Sequence, residues 1–280
     1  MAEQFVVVTG AAKGIGRAIT LHLARQGYHV IAGVRKEADG TALVAEVGNQ
    51  VTPIHLDITE RQMLLAAAEK ARALVGDNGL AGLVNNAGIA VAAPLEFIPI
   101  DELRNQVEIN VIGQVAVTQV FLPLLRHGKG RIVNISSMAG RVAGQGTGPY
   151  HASKFAMEAL TDTLRQELAP WGIDVVSIQP GVIATPIWET SLARARQLLE
   201  RLPPEAYQLY GRQIERQLAQ AEKSQARGID PIRVAEAVLQ ALPATRPRTR
   251  YQVGMDGKIA VRLIARLPDR WRDWLLARLG

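Results

Sequence analysis

Short apolar runs alternate with helical patterns along most of the chain, and this alternation predicts the fold class. Runs that are apolar at consecutive positions are typical of buried strands, whereas apolar residues three or four positions apart are typical of amphipathic helices. The runs fall at Phe5–Val8, His29–Val34, Val51–Leu56, Leu80–Asn85, Arg131–Ile135, Asp174–Gln179 and Tyr251–Val253. Because strands buried on both faces and separated by helices form parallel sheets, we expect a Rossmann-type α/β fold. Its doubly wound sheet would have about seven strands between two helical layers.

The segment from Thr185 to Ile229 interrupts this rhythm with two helical stretches, which are joined near Pro203 and Pro204. We expect it to form a helical lid over the carboxyl ends of the strands, where such folds bind ligands. Its apolar side chains are Ile187, Trp188, Leu192, Leu198, Leu199, Tyr207 and Tyr210. They suit a bulky apolar ligand, although they could also be core. The predicted division is one catalytic domain over 1–253, which includes the lid, and a helical tail over 254–280.

The composition excludes several kinds of site. The chain has no cysteine, so it has no disulfide, no zinc-thiolate centre and no thiol nucleophile. The five histidines lack the spacing of metal ligands, and we expect no metal site. Absence of cysteine fits a reducing cytoplasm. The N-terminus lacks the basic start of a signal peptide, and we expect no membrane span, so the predicted location is cytoplasmic.

The net charge of +6 belongs to the C-terminal part of the chain. Residues 244–280 contain nine Lys or Arg and three Asp, whereas the remainder is balanced, so we expect no nucleic-acid partner. Lys258, Arg262 and Arg266 have the spacing of one basic stripe on a helix. Pro268 then either ends this helix or starts another at its first turn. The accompanying apolar residues are Ile259, Val261, Leu263, Ile264, Leu267, Trp271, Trp274, Leu275 and Leu279. Such a tail either makes a peripheral membrane contact or docks on the body or on a partner subunit.

A glycine-rich turn follows the first predicted strand, at Thr9–Gly16. Glycines allow a tight turn and a close approach of the backbone to a pyrophosphate, which the free N–H groups of the next helix would then bind. The spacing differs from the G-x-G-x-x-G fingerprint. A turn needed only for chain reversal is therefore the alternative until further signals are added.

The further signals give the chain a resemblance to a known family. They are Asp57, Asn85-Asn86-Ala87-Gly88, Asn110, Ser137, Tyr150 with Lys154, and Pro180-Gly181 followed by Thr185. Together with the turn, these motifs resemble the short-chain dehydrogenase/reductase family in its TGxxxGxG and YxxxK subgroup, over about residues 5–186. Within that family the chain is most similar to the retinol- and hydroxysteroid-type dehydrogenases.

The resemblance implies a role for each motif. Asp57 would meet the adenine edge of a nicotinamide dinucleotide, Asn85 would stabilise the central sheet, and the segment after the sixth strand would flank the nicotinamide. The implied cofactor-binding residues are Gly10, Lys13, Gly14, Ile15, Gly16, Arg35, Asp57, Ile58, Asn86, Ala87, Gly88, Tyr150, Lys154, Pro180, Gly181, Ile183 and Thr185. The implied catalytic residues are Asn110, Ser137, Tyr150 and Lys154.

The chemistry of this catalytic set is consistent with hydride transfer. Tyr150 and Lys154 lie on one helix face, one turn apart. A free tyrosine titrates near pH 10, and a neighbouring ammonium would stabilise its phenolate. Tyr150 would then exchange a proton with the substrate oxygen, which Ser137 would position. The family suggests that Asn110 holds Lys154 and a water in a proton relay.

The choice between NAD and NADP depends on the end of the second strand. Sites that prefer NAD place an acidic residue on the ribose 2′-hydroxyl, about 20 residues past the glycines. Here Val34 stands at that place and Arg35 follows it, while Lys13 lies inside the turn. Both cations could pair with a 2′-phosphate, which favours NADP(H). Glu37 would reach the ribose, and favour NAD, if the strand ends later.

The sequence therefore predicts an oxidoreductase that transfers hydride between NADP(H) and a carbonyl or alcohol carbon of an apolar small molecule. A non-catalytic dinucleotide sensor and a membrane-placed scaffold are the alternatives, because a fold does not fix a function. The helix that begins at Tyr150 carries small residues at Ala152, Ala156 and Ala159. In the family this helix often packs against its twin, so a homodimer or homotetramer is expected.

Overall fold

A parallel sheet of seven strands lies at the centre of the computed structural model, which describes residues 3–185 and 187–279. The strands are β1 (Phe5–Val8), β2 (His29–Val34), β3 (Val51–His55), β4 (Gly82–Asn85), β5 (Arg131–Ile135), β6 (Val175–Pro180) and β7 (Arg250–Val253). Their order in the sheet is β3-β2-β1-β4-β5-β6-β7. The predicted Rossmann-type sheet is confirmed, and four strands differ from the predicted bounds by one or two residues at their ends.

Eleven α-helices are described in the same residues, and most of them cover the two faces of the sheet. They are α1 (Gly14–Arg25), α2 (Glu37–Val47), α3 (Arg61–Val75), α4 (Ile100–Val107), α5 (Gly113–Gly128), α6 (Gly148–Leu168), α7 (Ile187–Glu200), α8 (Pro204–Arg227), α9 (Ile232–Ala241), α10 (Met255–Arg262) and α11 (Asp269–Leu279). Helices α7 and α8 form the predicted two-helix segment, and α10 and α11 form the C-terminal tail.

Each strand is apolar at consecutive positions because both faces of the sheet are buried. In β1, Val6 and Val8 belong to the core under α1 and α9. Phe5 and Val7 belong to the core on the opposite face, under α3 and α5. Side chains alternate between faces along a strand, so a sheet covered on both sides needs apolar residues at every position.

The direction of strand addition reverses between β1 and β4. β1 pairs with β2 on one side and with β4 on the other, both in parallel. The loops that leave these two strands therefore diverge and open a crevice at their carboxyl ends, where doubly wound folds bind ligands. The glycine turn Thr9–Gly16 leaves β1 at this edge, and Asn86 follows β4 there.

Buried amides and hydroxyls connect the middle of the sheet to two helices. Asn85 Nδ2 donates to Thr118 Oγ1 at 3.0 Å and to Asn134 Oδ1 at 2.9 Å. Asn134 Nδ2 in turn donates to Thr161 Oγ1 at 2.8 Å. A buried polar group costs free energy unless it is hydrogen-bonded, so this chain of bonds fixes how α5 and α6 sit on β4 and β5.

The segment Ile100–Gly128 corrects the expectation that no part of the chain is apolar enough to cross a membrane. By length and composition it would pass as a spanning helix. In the fold, however, its Val117, Phe121 and Leu125 are buried against the sheet. A core helix of a large α/β domain has this apolar composition because one of its faces is wholly buried.

The predicted basic stripe of the tail is also corrected. Helix α10 ends at Arg262, and Arg266 lies in a separate turn of 3₁₀-helix, so Lys258, Arg262 and Arg266 do not share one continuous helix. Leu267 is extended, with ψ 147°. The residue before a proline is pushed out of the helical region, which explains why Pro268 separates the two helices.

Candidate active site at the carboxyl ends of the strands

The glycine turn has the backbone geometry of a phosphate cradle. Gly10 and Gly14 have φ of +63° and +53°, in the left-handed region that favours glycine. A Cβ at Gly16 would overlap the carbonyl oxygen of Gly10, so only glycine allows this closure. Ile15 is half-buried in the first turn of α1. The turn thus brings the N-terminus of α1 to the crevice, with its free N–H groups available to an anion.

Asn86 ties the glycine turn to the end of β4. Thr9 Oγ1 accepts hydrogen bonds from Asn86 N at 2.9 Å and from Ala87 N at 3.0 Å. The side chain of Asn86 donates to Thr9 O at 2.9 Å and to Gly10 O at 3.2 Å. The side-chain amide of Asn86 therefore donates its hydrogen bonds within the protein. Of the predicted cofactor residues here, Asn86 shapes the turn, and Ala87 and Gly88 follow it in the segment after β4.

A cleft of about 470 Å³ lies beside the turn. Ala12, Lys13, Gly14, Arg17, Ala18, Ala184, Asp230 and Pro231 line it. Both the turn after β1 and the segment after β6 thus contribute to one cleft. Lys13 and Arg35 are exposed near its outer end, after β1 and β2. In the described part of the chain neither cation has a carboxylate partner.

The predicted adenine-side residues follow β3. Asp57 Oδ1 accepts hydrogen bonds from Thr59 N at 3.0 Å and from Thr59 Oγ1 at 2.8 Å, which fixes the carboxylate in a local turn. Ile58 is buried, and a Cβ at Gly113 would lie 3.0 Å from its side chain. β3, β2 and β1 are adjacent in the sheet, so Asp57, Arg35 and the glycine turn share one side of the crevice.

Helix α6 brings Tyr150 and Lys154 to the end of β5. The Lys154 ammonium lies 5.7 Å from the centre of the Tyr150 ring and donates to Ile135 O at 2.8 Å. Tyr150 shares a side-chain hydrogen bond with Ser137, which follows β5. Ser137 Oγ also accepts from Ala139 N at 3.1 Å, because Ser137 caps the short turn Met138–Gly140. Three of the four predicted catalytic side chains are thus in one group.

Burial shifts the pKa values of Tyr150 and Lys154 in opposite directions. Burial raises the pKa of the Tyr150 phenol above 10, and the hydrogen bond with Ser137 opposes this rise. Burial lowers the pKa of Lys154 to about 8, against the opposing charge of Glu158. Desolvation disfavours whichever form is charged, which explains both directions. Near neutral pH the site therefore holds a protonated phenol next to an ammonium.

Asn110 reaches the site through one turn of π-helix. This turn, Glu108–Ile112, joins α4 to α5. Single π-turns inside helices are frequent at functional sites because the extra residue reorients a side chain. Asn110 accepts from Ile89 N at 2.9 Å, and donates to Ile89 O at 2.9 Å and to Ser153 Oγ at 3.1 Å. Asn110 therefore holds the strand-end segment next to α6, and its described bonds do not include Lys154.

The segment after β6 forms the other wall of the crevice. Pro180 ends β6, and Gly181 N donates to Val253 O at 2.8 Å. Ile183 forms a bridge with Ile229, the residue that ends the lid segment. Thr185 is buried, and its hydroxyl has no hydrogen-bond partner among the residues that the structure describes. A buried hydroxyl without a partner is costly, which suggests that a ligand supplies one.

His151 lies next to Tyr150 and contacts the segment after Ser137, although the sequence pattern indicated no role for it at the site. Its Nδ1 lies 3.0 Å from Ala139 O, and Gly144 N donates to its Nε2 at 3.0 Å. The ring thus joins the segment after Ser137 to the helix of Tyr150. Burial lowers the pKa of His151, although its backbone hydrogen bonds with Ala139 and Val142 oppose the shift. Its position next to Tyr150 was the available signal, but spacing alone could not reveal the two bonds.

Glu158 is a second residue that was missed. It lies one turn beyond Lys154 on α6 and is buried. Ser177 Oγ donates to Glu158 Oε1 at 2.6 Å, and Arg250 Nε donates to Oε2 at 2.8 Å. Burial opposes ionisation, but these hydrogen bonds outweigh it and lower the pKa of Glu158. A carboxylate thus connects the catalytic helix to β6 and β7.

The predicted lid segment is held by contacts with α4 and with the residues before it. Arg194 Nε donates to Glu102 Oε2 at 3.1 Å, and the Tyr210 hydroxyl donates to Glu96 at 2.6 Å. Leu198 packs in a small apolar cluster with Val91, Ala93 and Ile98. Leu192 and Leu199 are buried, whereas Tyr207 is exposed. The side chains of Ile187 and Trp188 lie outside the described part of the chain, as does that of Leu279 in the tail.

The described residues contain no group of three or more His, Asp or Glu side chains that could hold a metal ion. What the site does contain is a dinucleotide-type turn, a half-buried tyrosine next to a buried lysine, and a serine, all at one edge of a doubly wound sheet. These features define a nicotinamide-dependent oxidoreductase.

Comparison with known proteins identifies the family. The chain belongs to the short-chain dehydrogenase/reductase family, since the sequence model described as short chain dehydrogenase matches residues 4–196. It is 35% identical to retinol dehydrogenase 5 of Mus musculus over 288 residues, covering 99% of this chain and 90% of that protein. It is 37% identical to 3-amino-tetrahydro-pyrrolizinone reductase of Xenorhabdus hominickii over 263 residues, covering 92% and 89%.

Solved structures agree. A short chain dehydrogenase from Burkholderia cenocepacia in complex with NADP aligns with a TM-score of 0.73 and 28% identity, covering 99% of this chain and 97% of that one. The chain is thus an NAD(P)-dependent oxidoreductase that acts on CH–OH or C=O groups, and its similarity to retinol-type relatives confirms the predicted subgroup.

Proposed function

We propose that this enzyme transfers hydride between NADP(H) and the carbonyl or alcohol carbon of a bulky apolar substrate, with Tyr150 as the acid/base. The observation that carries the proposal is the grouping of Tyr150, Lys154 and Ser137 beside the glycine turn. A tyrosine and a lysine on one helix face are common as a surface pair. A half-buried tyrosine and a buried lysine that share one edge of the sheet with a dinucleotide-type turn are not common.

The residues present fit a nicotinamide dinucleotide. The turn has no room for a Cβ at Gly16, as a closely approaching pyrophosphate requires. The unpartnered hydroxyl of Thr185 lies on the opposite wall of the crevice and would bond the amide of the nicotinamide. When bound, the cofactor supplies or accepts the hydride.

The chain's own residues would handle the proton and the substrate oxygen. Tyr150 donates its phenolic proton to the oxygen during reduction, and recovers it during oxidation. Its raised pKa keeps the proton in place at neutral pH, and the Lys154 ammonium stabilises the phenolate that forms. Ser137, which already bonds the Tyr150 side chain, would hold the same oxygen. Asn110 acts through the backbone it positions at Ile89.

A preference for NADP(H) over NAD(H) is supported by the placement of Arg35 and Lys13. Both are exposed on the side of the crevice where the adenosine ribose would lie. A guanidinium can pair with a phosphate through two hydrogen bonds, whereas it gives the ribose hydroxyls of NAD little. Glu37, which would favour NAD if β2 ended later, is the exposed first residue of α2 and lies beyond the end of β2 at Val34.

Substrate size and chemistry rest on the lid. Its buried Leu198 meets Val91, Ala93 and Ile98 next to the catalytic group, which gives an apolar wall. Relatives named for retinol support the same class of substrate. We expect bulky apolar ketones or alcohols to be turned over faster than small polar ones.

The test is turnover of NADPH and NADH with a panel of apolar and polar ketones, compared between wild type and Tyr150→Phe. Phenylalanine keeps the ring but has no proton to give, so kcat should fall about a thousandfold or more while NADPH binding stays within about threefold. Tyr207→Phe, on the exposed face of the lid, is the matched control. Near wild-type turnover by Tyr150→Phe would refute the role. Tight NADPH binding without turnover on any ketone would favour a dinucleotide sensor.

Two surfaces support interactions beyond the substrate. Ala152, Phe155 and Ala159 are exposed along α6, which supports a homodimer or homotetramer through this face. Light scattering of wild type and Phe155→Asp tests it. Trp271 and Trp274 are exposed on α11, 69% and 57%, which supports a peripheral membrane contact of a cytoplasmic protein. Salt-sensitive sedimentation with anionic liposomes tests that contact, and no sedimentation would leave the tail as a docking element.

A further inference from the structure

A side chain at the start of the tail contacts the segment after β6, which forms one wall of the crevice. Asp256, in the first turn of α10, accepts a hydrogen bond from Val182 N at 2.6 Å, although the two residues are 74 positions apart. A Cβ at Gly181 would overlap the Asp256 carboxylate. This carboxylate therefore fills the space that the missing side chain of Gly181 leaves.

Two further glycines lie at this contact, where Asp256 itself is exposed. Gly254 has φ of +94°, and a Cβ there would lie 2.5 Å from Asp256 Oδ1. A Cβ at Gly257 would lie 3.1 Å from Gly181 N. Three glycines thus let two backbone segments approach one acidic side chain. Charged residues in the first turn of a helix usually serve the helix itself, but this one is directed at another segment.

Backbone groups make three of the described hydrogen bonds of this segment, whereas Val182 N donates to a side chain. Gly181 N donates to Val253 O at 2.8 Å, Ile229 N donates to Val182 O at 3.0 Å, and Ala184 N donates to Ile229 O at 2.9 Å. Among the described contacts of this segment, the Asp256 carboxylate is the side-chain acceptor, and it accepts from Val182 N. Loss of the carboxylate would free the amide three residues before Thr185.

We infer that Asp256 is a positioning residue, which sets the segment 181–185 for the nicotinamide end of the cofactor. The inference rests on the proposed function, because it assigns that segment to the cofactor. In this role, Asp256 makes the start of the tail a part of the active-site wall. A carboxylate that merely stabilised α10 would affect the thermal stability of the protein, but not its affinity for the dinucleotide.

The first test measures binding of NADPH to the full chain, with the fluorescence of NADPH as the signal. Asp256→Ala should weaken binding about tenfold, as loss of a charge-assisted hydrogen bond would, while the KM for the ketone stays within about twofold. Asp256→Asn keeps an oxygen that accepts from Val182 N, so it should restore binding to within about threefold of wild type. Asp269→Ala is the matched control, since Asp269 opens α11 and its described side-chain bond is to its neighbour Arg272. Equal binding by wild type and Asp256→Ala would overturn the inference.

The second test does not depend on the cofactor. Hydrogen exchange in the free protein should be faster at Val182 in Asp256→Ala, and unchanged in Asp269→Ala. Gly181→Ala should impair binding strongly in the wild type but less in Asp256→Ala, because the atoms it would overlap are then absent. Unchanged exchange or strictly additive effects would refute the contact. A wild type that binds no dinucleotide, but whose exchange depends on Asp256, would instead refute the proposed function and with it the role toward the cofactor.

Discussion

The pKa of Lys154 leads to a prediction about the pH dependence of catalysis. Lys154 is 7% exposed, and burial lowers its pKa to about 8. Lys154 is then charged in about nine-tenths of the molecules at pH 7 and in about one-tenth at pH 9. If the ammonium is needed, kcat/KM for NADPH in the reductive direction should fall about tenfold between these values. kcat/KM is the relevant quantity because it reports the ionisation of the free enzyme.

The fall can be assigned to Lys154 because the pKa of Tyr150 lies in a different range. Burial raises the Tyr150 pKa above 10, so the phenol keeps its proton throughout this window. Two titrating groups whose environments push their pKa values apart give separate steps in the profile. A step near pH 8 therefore reports the lysine, and a step above pH 10 the tyrosine.

Lys154→Arg provides the control. Arginine stays charged over the whole window, so the step near pH 8 should disappear, although the larger side chain will lower activity at every pH. Only the shape of the profile matters for the comparison. Direct NADPH binding from pH 6 to 10 replaces kinetics if turnover is too slow. A wild-type profile that stays flat up to pH 10, or a step that survives in Lys154→Arg, would refute the reasoning.

Two further predictions concern cofactor choice and stability. Arg35→Asp should lower kcat/KM for NADPH about 10- to 100-fold and raise it for NADH, because it removes a phosphate partner and adds a ribose acceptor. Arg25→Asp, at the far end of α1, is the control and should change neither value. A wild type that prefers NADH would contradict the assignment. Arg250→Met should lower the free energy of unfolding by about 3 kcal/mol at pH 7, because Glu158 stays buried without its cation. Since the native pKa of Glu158 is lowered, this stabilisation is present above pH 4.5 and is lost as the pH falls through the native pKa, so denaturant melts of the two proteins should converge in acid.

The sequence by itself determined the fold class and the edge of the sheet at which the predicted site residues lie. Strands such as Phe5–Val8 are apolar at every position because both faces of a parallel sheet are covered, and this shows in a local pattern. Parallel strands end at one edge, so the polar residues that follow β1, β4, β5 and β6 had to converge there. Tyr150 and Lys154 had to share a face because helix geometry is regular.

Only the tertiary structure decided how those residues are held. The π-turn that directs Asn110 to Ile89, and the bonds that tie His151 to Ala139 and Gly144, depend on segments that are distant in sequence or on a local irregularity. The contact between Asp256 and Val182 spans 74 positions. The lowered pKa of Lys154 depends on burial, which every surrounding element sets together. Periodicity describes one element at a time, whereas distances, burial and charge at the site come from several elements packed against one another.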